Sequence, residues 1–257
     1  MTEPRLALRG IRRLFESGAG VQGVDLTVVP GEVHALVGLN GAGKSTLMRI
    51  ALGMLRPTAG IVEIDGTDIS RAASTTWASV GQLVEVPFTY PELTARDSLG
   101  LAARLHGIAR EEIADVVARV LDELALEPFA DRRTRRLSLG NRQRLGLASA
   151  LQHHPRLIVL DEPTNALDPS GVILLREALL RRAGEDGAGI LVSSHHLDEV
   201  ARIAHRITVL NGGRVIGTLD PHGVDIERAF FELVHEDDRH RSAEAAVRGG
   251  RPVRRSA

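Results

Sequence analysis

Residues 38–46 read GLNGAGKST, and this stretch decides the fold of the 257-residue chain. It matches the pattern G-x-x-x-x-G-K-[ST], in which a glycine-rich loop joins a buried strand to a helix. The apolar run 33–37 predicts the strand, and helically spaced apolar residues over 44–55 predict the helix. Backbone N–H groups of such a loop surround a phosphate at the positive end of the helix. The stretch therefore predicts a nucleotide-phosphate site formed by Gly38, Leu39, Asn40, Gly41, Ala42, Gly43, Lys44, Ser45 and Thr46.

The basic residue of this loop is unusual for the chain, because Lys44 is the only lysine among 32 basic residues. A compact ammonium group fits inside a tight phosphate loop where a planar guanidinium does not. The motif assigns Lys44 to the β- and γ-phosphates, as a catalytic charge, and Ser45 to Mg²⁺. The alternative is a glycine turn that only joins a strand to a helix. The matching strand and helix on its two sides argue against that alternative.

The composition allows one large α/β domain with an inserted subdomain. The net charge is −1, so we expect no nucleic-acid partner. The absence of cysteine excludes disulfides, thiolate metal sites and cysteine nucleophiles. Residues 1–10 contain no apolar segment typical of a secretory signal, and no run of about 18 apolar residues occurs in the chain. We therefore expect any action at a membrane to go through a partner.

Alternating strands and helices predict an α/β fold of the phosphate-loop NTPase type, with a mainly parallel core sheet. Besides the strand before the phosphate loop, core strands are predicted at 77–84, 157–160, 189–194, 207–210 and 214–219. Core helices are predicted at 170–182 and 196–203. An antiparallel β subdomain is predicted from strands 6–15, 21–29 and 61–64, and Asp65 and Gly66 after the last of them signal a hairpin.

A mostly helical block interrupts this pattern and predicts an inserted subdomain at 87–152. Its helices are expected at 94–106, where Thr94 caps the first turn, at 110–126, and from about Ser138. The catalytic core, with the antiparallel β subdomain, then consists of 1–86 and 153–220. Residues 221–257 form a short C-terminal segment, which is charged and aperiodic from His235 onward and is therefore predicted to be disordered there.

Two acidic residues end the apolar strand in 157–162, which reads LIVLDE. Asp161 lies at the carboxyl end of the strand, where open α/β sheets hold ligands, and is expected to bind Mg²⁺. Glu162 follows on the other side of the strand and is expected to polarise an attacking water as general base. His195 follows another apolar strand and is expected to donate to a γ-phosphate. Its neighbour His196 is expected to point to a different side.

A second anion site is predicted at the start of the helix that follows Ser138. Ser138, Gly140 and Asn141 combine a hydroxyl, a glycine and an amide at a helix N-terminus. Ordinary capping by Ser138 is the alternative, and this stretch alone favours it. Phe15 lies in the connection between the first two strands, where its ring either stacks on a nucleotide base or joins the core.

Together these motifs resemble the nucleotide-binding subunit of an ABC (ATP-binding cassette) transporter over about residues 6–219. The loop 38–46 resembles its Walker A motif, LSLGN at 137–141 its signature, and LIVLDE at 157–162 its Walker B motif. NALD at 165–168 resembles its D-loop, and His195 its switch histidine. The resemblance implies that two cassettes, as a homodimer or a pair, meet head to tail and hold ATP and Mg²⁺ between one Walker A and the partner's signature. It also implies a nucleotide contact for Asp168.

Two departures from the family pattern matter. The signature has Leu139 and Asn141 where the family usually has glycine and glutamine. At the Q-loop, Glu85 takes the usual glutamine position, while Gln82 lies three residues earlier inside the strand. In these features the chain resembles bacterial exporter cassettes of the bacitracin and lantibiotic resistance type. The position implies that Glu85 contacts nucleotide and Mg²⁺ and adds negative charge near the γ-phosphate.

The sequence therefore predicts an ATPase that drives a separate integral membrane permease from the cytoplasmic face of the membrane, as an exporter. A soluble cassette acting in assembly or translation control, without a permease, is the alternative. A small-molecule kinase would share the phosphate loop, but it gives no reason for LSLGN.

Overall fold

Two β-sheets form the framework of the computed structural model, which describes residues 3–85, 87 and 89–249. The strands are β1 (Leu6–Leu14), β2 (Gly20–Val28), β3 (Val33–Val37), β4 (Ala59–Ile64), β5 (Thr67–Asp68), β6 (Val80–Leu83), β7 (Leu157–Leu160), β8 (Gly189–Ser194), β9 (Arg206–Asn211) and β10 (Arg214–Leu219). The helices are α1 (Lys44–Ala51), α2 (Ser74–Ala78), α3 (Ala95–Leu105), α4 (Ile113–Glu123), α5 (Leu139–Leu151), α6 (Pro169–Gly184), α7 (Leu197–Ala201) and α8 (Ile226–Gly249).

The larger sheet carries the predicted catalytic motifs. Its strand order is β10-β9-β3-β8-β7-β6, and all its pairs are parallel except β9 with β10. Every residue of β3, β7 and β8 is buried, as expected for strands covered on both faces. Because parallel strands end at the same edge, the segments that follow β3, β7 and β8 come together there. The mainly parallel α/β core is confirmed.

The smaller sheet is antiparallel, as predicted, with the order β2-β1-β4-β5. The hairpin between β4 and β5 turns at Asp65 and Gly66, whose φ values are 45° and 71°. Two successive positive φ angles are typical of the turn that Asp-Gly favours. Apolar side chains of this sheet, including the fully buried Leu6 and Ile64, join those of β3 and α1 in one core cluster.

Helices α3, α4 and α5 form the block that interrupts the core pattern. Thr94 caps α3 as predicted, because its hydroxyl oxygen accepts a hydrogen bond from the Asp97 N–H at 3.0 Å. Glu123 of α4 pairs with Arg182 of α6 at 2.8 Å, and both side chains are nearly buried. This ion pair joins the helical block to the core. Removing one partner of a buried pair typically lowers the stability of a protein by about 3–5 kcal/mol.

The start of one predicted strand and the predicted disorder of the C-terminal tail were wrong. The strand predicted at 77–84 begins only at Val80, because Trp77 belongs to α2 and packs its ring against Gly53. The disorder predicted from His235 is contradicted up to Gly249, since α8 continues from Ile226 to that residue. Apolar packing by Phe230 and Val234, both buried, anchors the first half of α8 on the core. The rest of the predicted tail, 250–257, lies outside the described residues. No helix in the described part of the chain has the length and apolar character needed to cross a membrane.

Candidate nucleotide site

The phosphate loop lies between β3 and α1 and packs against the end of β9. A Cβ added at Gly38 would lie 2.3 Å from the Leu210 carbonyl oxygen, so only glycine fits there. Gly43 has φ 108°, and an added Cβ would lie 3.0 Å from the Gly20 carbonyl oxygen. Glycine alone combines this conformation with this close approach. The loop is therefore a backbone-lined cradle at the N-terminus of α1, as a phosphate site requires.

Lys44 begins α1, and its side chain is only 7% exposed. Its Nζ donates to the Gly38 carbonyl oxygen at 2.7 Å and lies 3.4 Å from Glu162 Oε1. The ammonium group thus lies inside the loop, within reach of the acid at the end of β7. The sequence did not predict this pairing, because the two residues are far apart in the chain.

Ser193 connects the two acidic residues that follow β7. Its Oγ donates to Asp161 Oδ1 at 2.5 Å and accepts from the Glu162 N–H at 2.8 Å. This arrangement arises because β7 and β8 are parallel neighbours, with Leu160 opposite Val192. This role of Ser193 was not predicted from the sequence. The available signal was that a hydroxyl one residue beyond Val192 must lie beside Asp161 if the two strands pair in this register.

Glu162 also contacts the predicted switch histidine. Its Oε2 accepts from His195 Nδ1 at 2.7 Å and from the His195 backbone N–H at 3.3 Å. An ionised carboxylate only accepts hydrogen bonds, so Nδ1 carries a hydrogen in this pair. His195 Nε2 can then donate to a phosphate only when the ring holds both protons. The structure brings Lys44, Glu162 and His195 together, and their catalytic roles remain predictions.

His196 does not point away from His195, so that expectation was wrong. The two ring centroids are 3.9 Å apart and the rings are tilted by 42°. The strand alternation that would separate them ends at Ser194, and His196 occupies the N-cap position of α7. The two imidazoles therefore lie side by side at the edge of the site.

The predicted Mg²⁺ ligands come from different elements. Ser45 lies in the first turn of α1, and Asp161 follows β7. In the described part of the chain, no three His, Cys, Asp or Glu side chains form a metal-binding group. The Ser45 hydroxyl and the Asp161 carboxylate fit Mg²⁺, which is typically held by one or two carboxylates together with phosphates of the substrate. Mg²⁺ at Ser45 and Asp161 therefore remains a prediction that the donor chemistry supports.

Glu85 follows β6 with φ 79°, and its carboxylate pairs with Arg49 of α1 at 2.5 Å. Its predicted contacts with nucleotide and Mg²⁺ remain predictions. Gln82 lies inside β6, as expected, opposite Val159 of β7. The Gln82 side-chain oxygen accepts from the Val84 N–H at 3.2 Å, a local bond within the strand end.

At the signature, Ser138 caps α5 as the alternative proposed, since its Oγ accepts from the Asn141 N–H at 3.2 Å. Capping does not test the predicted second anion site, which remains a prediction. Gly140 has a packing reason to be glycine. An added Cβ would lie 2.8 Å from the Ala166 carbonyl oxygen. The D-loop therefore lies directly on the start of the signature helix.

Asp168 caps α6, accepting from the Gly171 N–H at 3.0 Å and the Ser170 hydroxyl at 2.9 Å. The Arg144 guanidinium donates to it from α5. The hydrogen bond from Arg144, followed by those from Ser170 and Gly171, lowers the pKa of the Asp168 carboxyl below its usual value. Asp168 thus fastens the D-loop to the signature helix, and its predicted nucleotide contact remains a prediction.

Phe15 is 40% exposed, which contradicts the alternative that its ring joins the core. The ring lies just after β1, and the Arg13 guanidinium carbon is 5.5 Å from its centroid. The Phe15 N–H donates to the Ala19 carbonyl oxygen at 2.8 Å, and this hydrogen bond closes the turn that carries the ring. Stacking of this ring on a base remains a prediction.

Comparison with known proteins decides the family. Residues 21–165 match the family model described as ABC transporter, which is more than half of the chain. The chain belongs to the ABC transporter family of ATP-binding cassettes. It is therefore an ABC-type ATPase, and the sequence-based recognition is confirmed.

Two curated relatives show the neighbourhood of this cassette within the family. The bacitracin transport ATP-binding protein BcrA of Bacillus licheniformis is 34% identical over 80% of this chain and 66% of the relative's length. The Nod factor export ATP-binding protein I of Rhizobium sp. (strain N33) is 35% identical over 91% of this chain and 77% of its own.

Two solved structures share the fold. The cassette MJ0796, dimeric in a post-hydrolysis state with ADP and Pi, has a TM-score of 0.77 at 26% identity, covering 85% of this chain and 99% of its own. The cassette cbiO1 of Clostridium perfringens, described as part of the ABC transporter complex cbiONQ, has a TM-score of 0.75 at 28% identity. The match covers 88% of this chain and 92% of cbiO1. These structures confirm the predicted α/β cassette fold.

Proposed function

We propose that this cassette is the motor subunit of an exporter and drives a separately encoded membrane permease from the cytoplasmic face of the membrane. The Nod factor export relative supports the direction. The relative cbiO1, described as part of a transporter complex, supports a separate permease. What this chain exports is a property of the permease, because the cassette handles only the nucleotide.

The observation that carries the permease proposal is a groove between the helical block and the end of β6. It encloses about 330 Å³, and its lining includes Val84, Tyr90 and Leu105. Leu105 is 78% exposed and Tyr90 49% exposed. A groove that combines exposed apolar side chains with polar ones such as Gln82 and Ser98 suits an amphipathic helix, which lays its apolar face on the apolar part. The occupant we propose is a helix on the cytoplasmic side of the permease.

The groove also offers a route from the permease to the nucleotide site. Gln82 and Val84 line it, and Glu85 follows them directly in the chain. Glu85 in turn pairs with Arg49 of α1, the helix that begins at Lys44. A helix that moves in the groove would therefore shift a carboxylate tied to the phosphate-loop helix.

In the proposed reaction two cassettes, as a homodimer or a pair, close head to tail on ATP. Lys44 and the loop N–H groups hold the phosphates, while Ser45 and Asp161 would hold Mg²⁺, which would neutralise phosphate charge. Glu162 accepts the proton of the attacking water. The partner's signature adds the second anion site, which completes the binding of the γ-phosphate. The dimeric ADP- and Pi-bound relative supports this arrangement.

Docking in the groove predicts the effect of a charge there. Leu105→Glu is expected to abolish co-purification with the membrane permease, because a carboxylate is costly to bury against an apolar helix face. Val224→Glu, the same kind of change at a fully exposed apolar residue outside the groove, should leave co-purification intact. The measurement is pull-down of the tagged cassette from detergent-solubilised membranes. Retention by Leu105→Glu at the native level would remove the groove from the proposal. A native cassette that never enters the membrane fraction would favour the permease-free alternative.

Glu85 gives a second prediction, on coupling. Glu85→Ala is expected to lower ATP-driven transport by about fivefold or more, and by more than it lowers basal hydrolysis, because coupling between distant sites is typically worth 5–150-fold. Gln82→Ala is the matched control in the same strand end. Its loss of a local hydrogen bond should cost about 1 kcal/mol of stability and leave coupling intact. Transport and hydrolysis are measured together in vesicles that contain the permease. The opposite ranking of the two variants would show that Gln82, and not Glu85, is the coupling residue.

A further inference from the structure

The turn between β9 and β10 packs against the phosphate loop and is hydrogen-bonded to it. The Gly213 N–H donates to the Ala42 carbonyl oxygen at 2.9 Å, in the middle of the loop. The Gly213 carbonyl oxygen accepts from the Gln22 N–H at 2.7 Å, which ties the same turn to β2. The Leu210 carbonyl lies directly under Gly38. A shift of this turn would therefore move the backbone that surrounds the phosphates.

The C-terminal helix α8 holds this turn through one buried amide. Asn211 is 6% exposed, and its Nδ2 donates to Asp237 Oδ2 at 2.8 Å and to Asp238 Oδ1 at 2.9 Å. Both hydrogens of the amide are thus used by two consecutive aspartates of α8. Hydrogen bonds to a carboxylate are about twice as strong as those between neutral groups.

An arginine of the same helix holds these aspartates in place. Arg241 lies one turn further along α8, and its Nε is 3.0 Å from Asp237 Oδ2. Its guanidinium also contacts Asp238, and a Cβ added at Gly212 would lie 2.0 Å from Arg241 Nη1. Hydrogen bonds from Asn211 and then Arg241 lower the pKa of the Asp238 carboxyl. The arginine therefore packs directly on the turn that the aspartates bind.

We propose that Asp237 and Asp238 are positioning residues for ATP binding, which act on the phosphate loop through Asn211 and the Gly213–Ala42 hydrogen bond. Neither aspartate belongs to the motifs of the nucleotide site. The inference requires only that the loop binds ATP, and it is independent of the permease and of the direction of transport.

The expected kinetic signature is a higher KM with little change in kcat. The loop N–H groups bind phosphates that are present in the substrate and in the transition state alike. Loss of such uniform binding raises KM and leaves kcat unchanged. The double variant Asp237→Ala/Asp238→Ala is expected to raise the KM for ATP about three- to tenfold, the range for one or two lost hydrogen bonds. Hydrogen exchange at the amides of residues 38–46 should become faster.

Two further variants separate positioning from general stability. Asp237→Asn/Asp238→Asn keeps an acceptor for each Asn211 hydrogen, so its KM for ATP should lie close to the native value and below that of the double alanine variant. Glu232→Ala removes an acid from the same helix whose partner is Arg228, at 2.8 Å on the surface, and should leave KM and exchange unchanged. If the double alanine variant does not fold, the single Asp238→Ala is measured in its place, since Asp238 is half-exposed.

The experiment uses the full chain, Mg²⁺ and ATP, with steady-state hydrolysis, circular dichroism and exchange mass spectrometry. A raised KM with faster exchange in the loop, corrected by the asparagine variant, supports the proposal. A folded alanine variant with native KM and native exchange at residues 38–46 overturns it, as does an equal rise in the Glu232→Ala control. A native protein that fails to bind ATP would contradict the nucleotide site itself, which is a separate result.

Discussion

Replacing Lys44 with alanine is expected to lower ATP turnover by about 10²–10³-fold or more, the range for loss of one preorganised charge at a reacting group. Its Nζ lies inside the phosphate loop, bonded to the Gly38 carbonyl oxygen and 3.4 Å from Glu162. No other side chain of this kind is available, because Lys44 is the only lysine of the chain. The variant should bind ATP weakly or not at all, which equilibrium binding of a fluorescent ATP analogue measures beside hydrolysis.

Two controls separate charge from packing at this position. Lys44→Met keeps an apolar stem in the buried space and should lose turnover as Lys44→Ala does. Lys44→Arg keeps the charge but brings a planar group that the tight loop does not accommodate, so it should also fail. Near-native hydrolysis by Lys44→Ala would contradict the nucleotide site.

Glu162→Gln is expected to lower turnover by about 10²–10⁴-fold, the usual cost of losing a general base. The amide keeps the shape of the carboxylate, and its oxygen can still accept from the His195 backbone N–H, but it cannot take a proton from water. Binding of ATP should survive, because Lys44, Ser45 and Asp161 are unchanged. The variant should therefore stall with ATP bound. Hydrolysis at the native rate would rule Glu162 out as the base.

Adding Ser138→Arg to Glu162→Gln is expected to block the second anion site from the partner cassette. Ser138 lies at the start of α5, 3.2 Å from the Asn141 N–H, so a long side chain there fills the space in front of the helix. Single-chain ATP binding should remain, since the phosphate loop is intact.

The motifs of the site could be predicted from the sequence because each is local. The loop 38–46 needs glycine wherever its backbone approaches Leu210 or Gly20. Such a requirement is visible in the sequence as a glycine at a fixed position of the motif. Strands β3, β7 and β8 were recognisable as apolar runs for the same reason. The capping of α3 by Thr94 also depends on neighbours in sequence.

Contacts between distant segments could not be predicted in this way. The Lys44–Glu162 and Glu162–His195 pairs follow from the order of parallel strands, which the sequence does not state. The trajectory of His196 depends on where β8 ends, at Ser194.

The C-terminal helix was not predicted because its sequence is mostly charged and contains few apolar residues at helical spacing. Phe230 and Val234 anchor it on the core, and the segment beyond them looks disordered by composition. One signal was present, since Asp237 and Arg241 lie four residues apart and form an ion pair. This spacing is typical of a helix, and it would have predicted that the helix continues through Asp237, Asp238 and Arg241.

Sedimentation velocity of the Glu162→Gln protein with saturating ATP and Mg²⁺ tests the head-to-tail mechanism most directly. The predicted result is a dimer with ATP, a single chain without nucleotide, and a single chain that still binds ATP when Ser138→Arg is added. An ATP-bound Glu162→Gln protein that sediments as a single chain, alone and with its permease in detergent, would contradict the mechanism.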